Sequence, residues 1–63
     1  IMKYFIQEYF LGVNIITKNG YTKYFQTFQD ADNFLNSLGD LNNEDNFYIM
    51  EEDKEGNQKP TEH

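Results

Sequence analysis

Asn19-Gly20 lies between two β-rich runs, Val13-Asn-Ile-Ile-Thr17 and Tyr21-Thr-Lys-Tyr-Phe25, and constrains the chain more than any other pair of residues. A two-residue type I′ turn needs positive φ at both central positions, and Asn and Gly reach that region at least cost. Such a turn pairs Lys18 with Tyr21, Ile16 with Lys23, Ile15 with Tyr24 and Val13 with Gln26. One face of the hairpin then carries Leu11, Val13, Ile15, Tyr24 and Phe28. The other carries Phe10, Ile16, Tyr21 and Phe25 beside Asn14, Lys18 and Lys23. A bulged three-residue loop in the same place swaps Phe25 into the core, so loop length decides which face is buried.

A helix follows the hairpin. Thr27 can cap its first N–H groups, Asp30 stands three positions on, close to a capping box, and Asp32 also suits the positive end of the dipole. Ala31, Phe34, Leu35 and Leu38 recur at i, i+3, i+4 and i+7, an apolar stripe, and Gly39 supplies the stop. Upstream, residues 3–17 read as β. An unbroken strand of that length would exceed the usual range of about 3–10 residues, and Gly12 offers a bulge or bend that divides it, as one bent strand or as two. Downstream, Asn46 to Glu52 reads as a third strand, with Phe47, Ile49 and Glu51 on one side and Tyr48, Met50 and Glu52 on the other. Residues 53–63 contain no apolar side chain and read as a flexible polar tail. The expected architecture is therefore α+β in the order ββαβ. One compact domain spans residues 1–52, with a three-stranded sheet of order 2-1-3 and one short helix packed on one face. A right-handed crossover makes the third strand parallel to the second.

Sixty-three residues allow only a thin core, since chains this small bury about 60% of the surface they expose when unfolded. There is no cysteine to staple it, but six Phe and five Tyr supply large apolar surfaces. One short helix covers one sheet face, so the second face is a candidate interface and a homodimer is expected. Net charge is −6 and unevenly spread: residues 1–28 balance at +2 and residues 29–63 at −8, with no arginine. Direct binding to nucleic acid or to an anionic membrane surface is disfavoured by that deficit of cations. Met2 is the expected natural start. Residues 1–17 have neither the continuous apolar run of a signal peptide nor the length of a membrane span, so a cytoplasmic location is expected.

Catalytic chemistry has little to work with. His63 is the single histidine and closes the tail, Ser37 has no partner base, and paired acids such as Asp30 with Asp32 read as helix-start charges. No enzyme activity, cofactor or metal is expected. Asp40, Asn42, Glu44 and Glu51 loosely follow calcium-loop spacing, but Asp45 stands where that loop requires glycine. The acidic run Glu44, Asp45, Glu51, Glu52, Asp53 and Glu55 admits two readings. Glu51 and Asp53 on one side of a strand lie about 6.5–7 Å apart, a spacing that can imitate a phosphate backbone toward a DNA-binding protein. Charge on an edge strand also simply deters aggregation.

Across residues 4–52 the layout resembles the short, dimeric uracil-DNA glycosylase inhibitors made by some phages. The segments that carry the likeness are F-I-Q-E-Y (5–9), V-N-I-I (13–16), N-G-Y-T-K-Y-F (19–25), D-N-F-L-N-S-L-G (32–39) and D-N-F-Y-I-M-E (45–51). The resemblance implies a non-catalytic inhibitor acting in the host cytoplasm on a host or defence enzyme. In it, Glu51 and Asp53 would mimic phosphates, and Tyr24, Phe25, Phe34 and Tyr48 would line a pocket or dimer seam. The same style of sequence is similar to other small phage anti-defence proteins. The expected partner-binding set is Phe10, Ile16, Tyr21, Tyr24, Phe25, Tyr48, Glu51 and Asp53. The alternative is an accessory homo-oligomerisation module with no inhibitory role.

Overall fold

Strand β1 (Lys3–Glu8) carries buried side chains on both of its faces. The computed structural model describes residues 2–38 and 46–61, and arranges them as β1, helix α1 (Phe28–Ser37), β2 (Phe47–Glu52) and β3 (Gln58–Pro60). Strand alternation sends Tyr4 and Ile6 toward the helix and Lys3, Phe5 and Gln7 to the opposite face. Phe5 and Ile6 are both fully buried. β2 runs antiparallel to β1, from Lys3 opposite Glu52 to Glu8 opposite Phe47. β3 runs antiparallel to β2. The result is an α+β fold with a three-stranded antiparallel sheet in the order β1-β2-β3.

The helix forms as its local signals require. The Thr27 hydroxyl accepts the Asp30 N–H at 3.0 Å, and the cap residue itself is extended, with φ −133°. Ten residues are too few for a stable isolated helix, so packing holds it. Ala31 and Leu35 join Ile6 and Ile49 in the main core, with Phe25, Phe28, Phe34 and Leu38 packed around them. Burying one such leucine contributes about 2 kcal/mol. A second, smaller core lies across the sheet. There Phe5 and Met50 are buried, and the Tyr24 ring meets the Phe5 ring edge-on at 5.7 Å.

Four expectations change. The sheet order is not 2-1-3, and the run 21–25 is not a strand. Chain order is β1, α1, β2, β3, and the segment between β1 and α1 makes only isolated bridges: Gln7 with Asn14, Ile16 with Thr22 and Tyr4 with Phe25. The cause is at Gly12. With φ +68° it lets the chain reverse, and its N–H donates to the Glu8 carbonyl at 3.0 Å. Residues 13–15 then return along β1, with Glu8 N–H on the Val13 carbonyl and Ile15 N–H on the Ile6 carbonyl. Two short stretches, 13–15 and Phe25, share the edge of β1 that one strand was expected to fill.

The hairpin turn is not type I′. Gly20 has φ +89°, but no described residue other than glycine has positive φ, so Asn19 does not supply the second left-handed position. Thr17 N–H donates to the Tyr21 carbonyl at 2.7 Å and Gly20 N–H to the Thr17 carbonyl at 2.9 Å, which closes a three-residue loop. The Thr17 hydroxyl accepts the Asn19 and Tyr21 N–H groups as well. That loop puts Ile16 opposite Thr22 rather than Lys23, and Phe25 packs on the helix side.

The segment expected as a flexible polar tail carries β3. The Asp53 carboxylate accepts the N–H groups of Glu55 and Asn57, each at 2.9 Å, and Gly56 turns the chain with φ +88°. Thr61 then ties down the end, its N–H and hydroxyl both donating to the Ile49 carbonyl. Edge pairing needs backbone partners rather than apolar side chains, which is how a segment this polar becomes a strand. The expected helix stop at Gly39, the acidic positions Glu44 and Asp45, the calcium-like spacing over 40–44 and His63 all lie outside the described residues. Among the described residues, no helix is long and apolar enough to cross a membrane.

Candidate interaction surface

Residues 9–27 join β1 to α1 without a regular element. Structureless connections beyond about 12–15 residues are uncommon in small domains and are usually either functional or linker segments. Among the described residues, every strongly exposed large hydrophobic side chain except Met2 lies on this connection: Tyr9, Phe10, Leu11, Val13, Ile16, Tyr21 and Tyr24. Leu11 is 81% exposed, Tyr21 75% and Phe10 72%.

The reversal explains this exposure. The Glu8 carboxylate accepts the Leu11 N–H at 2.6 Å, and together with the Gly12-to-Glu8 bond it holds Tyr9, Phe10 and Leu11 at the outside of a tight bend. Tyr9 stacks edge-on against Phe10 at 5.4 Å and against Tyr48 at 6.1 Å, so the tip leans on the end of β2. Ile16 and Tyr21 flank the second bend. Between them Lys18 is carried outward, and Lys23 places its ammonium 5.4 Å from the Phe25 and Phe34 rings.

The other polar concentration is closed on itself. Glu52 is buried on the face away from the helix and meets three chain segments. Gln58 Nε2 donates to it at 2.7 Å, the Tyr24 hydroxyl at 3.1 Å, and the Lys3 ammonium sits 3.2 Å away. The Gln58 hydrogen bond, followed by those of Lys3 and Tyr24, holds the Glu52 carboxyl below the usual carboxylate range against the opposing effect of burial. Burial and the hydrogen bond to Glu52 raise the Tyr24 phenol. Lys3 also lies 4.0 Å over the Tyr24 ring. Alongside, the Tyr48 hydroxyl donates to Gln7, Gln7 Nε2 to Asn14, and Asn14 Nδ2 to Thr22, a continuous ladder across the sheet. Each member has a partner, so the face is built to hold strands together.

The expected partner-binding residues are distributed rather than gathered. Phe10, Ile16 and Tyr21 stand exposed on the connection. Phe25 packs under the helix with its ring 5.5 Å from Phe34, while Tyr24 and Tyr48 lie on the opposite face. The four aromatics Tyr24, Phe25, Phe34 and Tyr48 are thus split between the two sides of the sheet. Glu51 is half-buried and 4.0 Å from the Lys59 ammonium. Asp53 closes its own turn, and the hydrogen bonds from Asn57 first, then Glu55 and Gly56, keep its carboxyl below the usual range. Sequence reasoning passed over Tyr9, Leu11 and Val13, whose exposure is signalled only by the glycine that bends the chain at position 12. It also passed over the burial of Glu52, which shares a face with Met50 by simple alternation.

An open cleft of about 490 Å³ lies beside the N-terminus, lined by Met2, Lys3, Tyr24, Phe25, Gln26 and Thr27. Its cation is already engaged by Glu52. Among the described residues, no group of three or more His, Cys, Asp or Glu could hold a metal ion. Comparison of the chain with protein-family models, with curated proteins and with solved structures finds no match.

Proposed function

We propose that this is a small non-catalytic binding protein that acts by covering part of a protein partner, with the β1–α1 connection as the contact surface. One observation carries this reading: among the described residues the exposed apolar side chains are concentrated on residues 9–24, while the Glu52 and Tyr48 clusters on the sheet are internally paired. Exposed aromatic and aliphatic side chains gathered in one region are what a protein interface buries.

The specific form of the reading is inhibition of a host or defence enzyme that handles DNA, such as uracil-DNA glycosylase, by a chain whose residues 29–63 balance at −8. A binder of this kind inhibits stoichiometrically. The test is uracil excision by a purified bacterial glycosylase with the protein titrated in. Inhibition saturating near one binding unit per enzyme, and lost in Phe10→Ser and Tyr21→Ser variants of unchanged circular dichroism, supports the target. Full excision at large excess removes it.

A second reading follows from the same exposure: an accessory homo-oligomerisation module in which another copy covers Phe10, Leu11 and Tyr21. Sedimentation velocity over a hundredfold concentration range separates the two. A concentration-dependent rise in mass that Leu11→Ser abolishes favours the module.

A further inference from the structure

We propose that Asn19 is a site of spontaneous covalent modification, at which the Gly20 backbone nitrogen attacks the Asn19 side chain and converts it to isoaspartate and aspartate. The reaction needs an uncommitted side-chain amide, a following residue that does not crowd the attacking nitrogen, and a loop able to open. The Asn19-Gly20 turn supplies all three. Both residues are exposed on the bend that closes the Ile16–Thr22 bridge. The Asn19 backbone N–H donates to the Thr17 hydroxyl at 3.3 Å, but among the described residues its side-chain amide has no hydrogen-bond partner. Gly20 has no side chain to shield its nitrogen, and even a Cβ placed there would meet nothing within 4 Å.

Asn14, Asn33 and Asn57 differ from Asn19 on both counts. The Asn14 side chain is held by Gln7 and Thr22, that of Asn33 accepts from Gln29, and that of Asn57 donates to Asp53. Each is followed by a residue with a large side chain, Ile15, Phe34 and Gln58 in turn. Asn19-Gly20 is the single Asn-Gly pair in the sequence.

The steps balance with water and hydroxide alone. The Gly20 amide gives its proton to hydroxide, and its nitrogen forms a bond to Asn19 Cγ. The side-chain nitrogen leaves as ammonia, taking a proton from water and restoring the hydroxide, and a cyclic imide remains. Water then opens the ring. Attack at Cγ leaves aspartate, whereas attack at the backbone carbonyl leaves isoaspartate, with the chain running through Cγ. Thr17 sets the pace. Its carbonyl accepts the Gly20 N–H at 2.9 Å, and its hydroxyl accepts the N–H groups of Asn19 and Tyr21 at 3.3 and 3.4 Å. The Gly20 proton must leave that bond before the nitrogen can attack, so the loop opens first, and exposed loops open at little cost in free energy. Either product places a carboxylate next to Lys18 in sequence. Isoaspartate also adds a main-chain carbon between Thr17 and Tyr21, whose backbone bond closes the loop. Granting the contact surface proposed above, the change falls between its Ile16 and Tyr21 side chains.

The test incubates the full chain in mildly alkaline buffer and follows each asparagine by site-resolved mass spectrometry, with electron-transfer fragmentation to tell isoaspartate from aspartate. Asn19 is expected to convert ahead of Asn14, Asn33 and Asn57, with isoaspartate in excess, and faster as pH rises. Thr17→Val removes the hydroxyl that accepts two N–H groups and should speed conversion by about fivefold. A synthetic peptide spanning residues 16–22 gives the rate without the fold. The readout is independent of binding, so failure of the proposed function would leave the inference standing. Asn19 still intact in the folded chain after the peptide has largely converted, or conversion led by Asn14, Asn33 or Asn57, overturns it. An unchanged rate in Thr17→Val overturns the part given to Thr17.

Discussion

The β1–α1 connection and the β2–β3 hairpin invert the usual relation between composition and order. The first is rich in Phe, Tyr, Leu and Ile, and leaves them in water around isolated bridges. The second is almost wholly polar, and forms a paired strand closed by an Asx-type turn. The difference teaches that order here follows satisfied backbone groups more closely than hydrophobic content. Residues 53–61 fold because Asp53, Gln58 and Thr61 each find a partner in or beside β2. The apolar connection remains open because β1 offers a single free edge and α1 already fills the space above it.

The comparison can be broken most severely at the shared core. Ile6→Ala should cost about 2–5 kcal/mol, a large part of the stability of a domain this small, and leave the protein largely unfolded by circular dichroism. Retention of a sharp thermal transition near the parent value would show that the helix-side core is not what holds the sheet.

Next comes the junction that ties the polar hairpin down. The Glu52 and Asp53 carboxyls titrate lower in the fold than in the unfolded chain. Their stabilisation is therefore fully present above the ordinary carboxylate pKa, and is lost as pH falls through the depressed folded values. The urea midpoint is expected to drop over that acidic window. Glu52→Gln should lower the midpoint at neutral pH and flatten its pH dependence, whereas Glu55→Gln, on an exposed turn, should leave the neutral midpoint unchanged. An unchanged profile in Glu52→Gln would mean that the three-segment junction adds nothing to the fold.

Thr27→Ala removes a helix cap and should destabilise by about 1 kcal/mol in urea titration. The smallest effect on stability is expected where the hydrophobic side chains are most exposed. Leu11→Ser and Tyr21→Ser should each fall within about 0.5 kcal/mol of the parent while altering binding. A loss several times larger would place those residues in the folded core and close the comparison from the other side.

What was legible in the sequence was local. The Thr27 cap and the Ala31–Leu35 stripe act within two helical turns, so both were readable, as was the strand ending at Glu52. The turn at Asn19-Gly20 was readable as a turn but not as to type, because the Thr17 hydroxyl competes for the N–H groups of Asn19 and Tyr21 and favours three loop residues over two. Gly12 was visible as a break, but whether it bends or reverses a strand depends on Glu8, which accepts from both Leu11 and Gly12. β3 was hidden because its residues carry no apolar pattern, and only the Ile49 carbonyl and the Asp53 turn give them a place. The exposure of Phe10 and Leu11 was hidden for the opposite reason: aromatic and aliphatic residues in a row predict burial.

Pro60 has a consequence for how this protein behaves when crowded. Thr61 with Ile49 and Asp53 with Asn57 are hydrogen-bonded pairs, so alternation turns the backbone of Lys59 toward β2 and those of Gln58 and Pro60 toward solvent. Proline has no N–H, which leaves Gln58 as the single outward donor on that strand. A new strand finds one donor fewer there, which disfavours fibre growth by sheet extension at that edge. Concentrated solutions should therefore cloud through sticky side chains, reversibly and without thioflavin-positive fibrils.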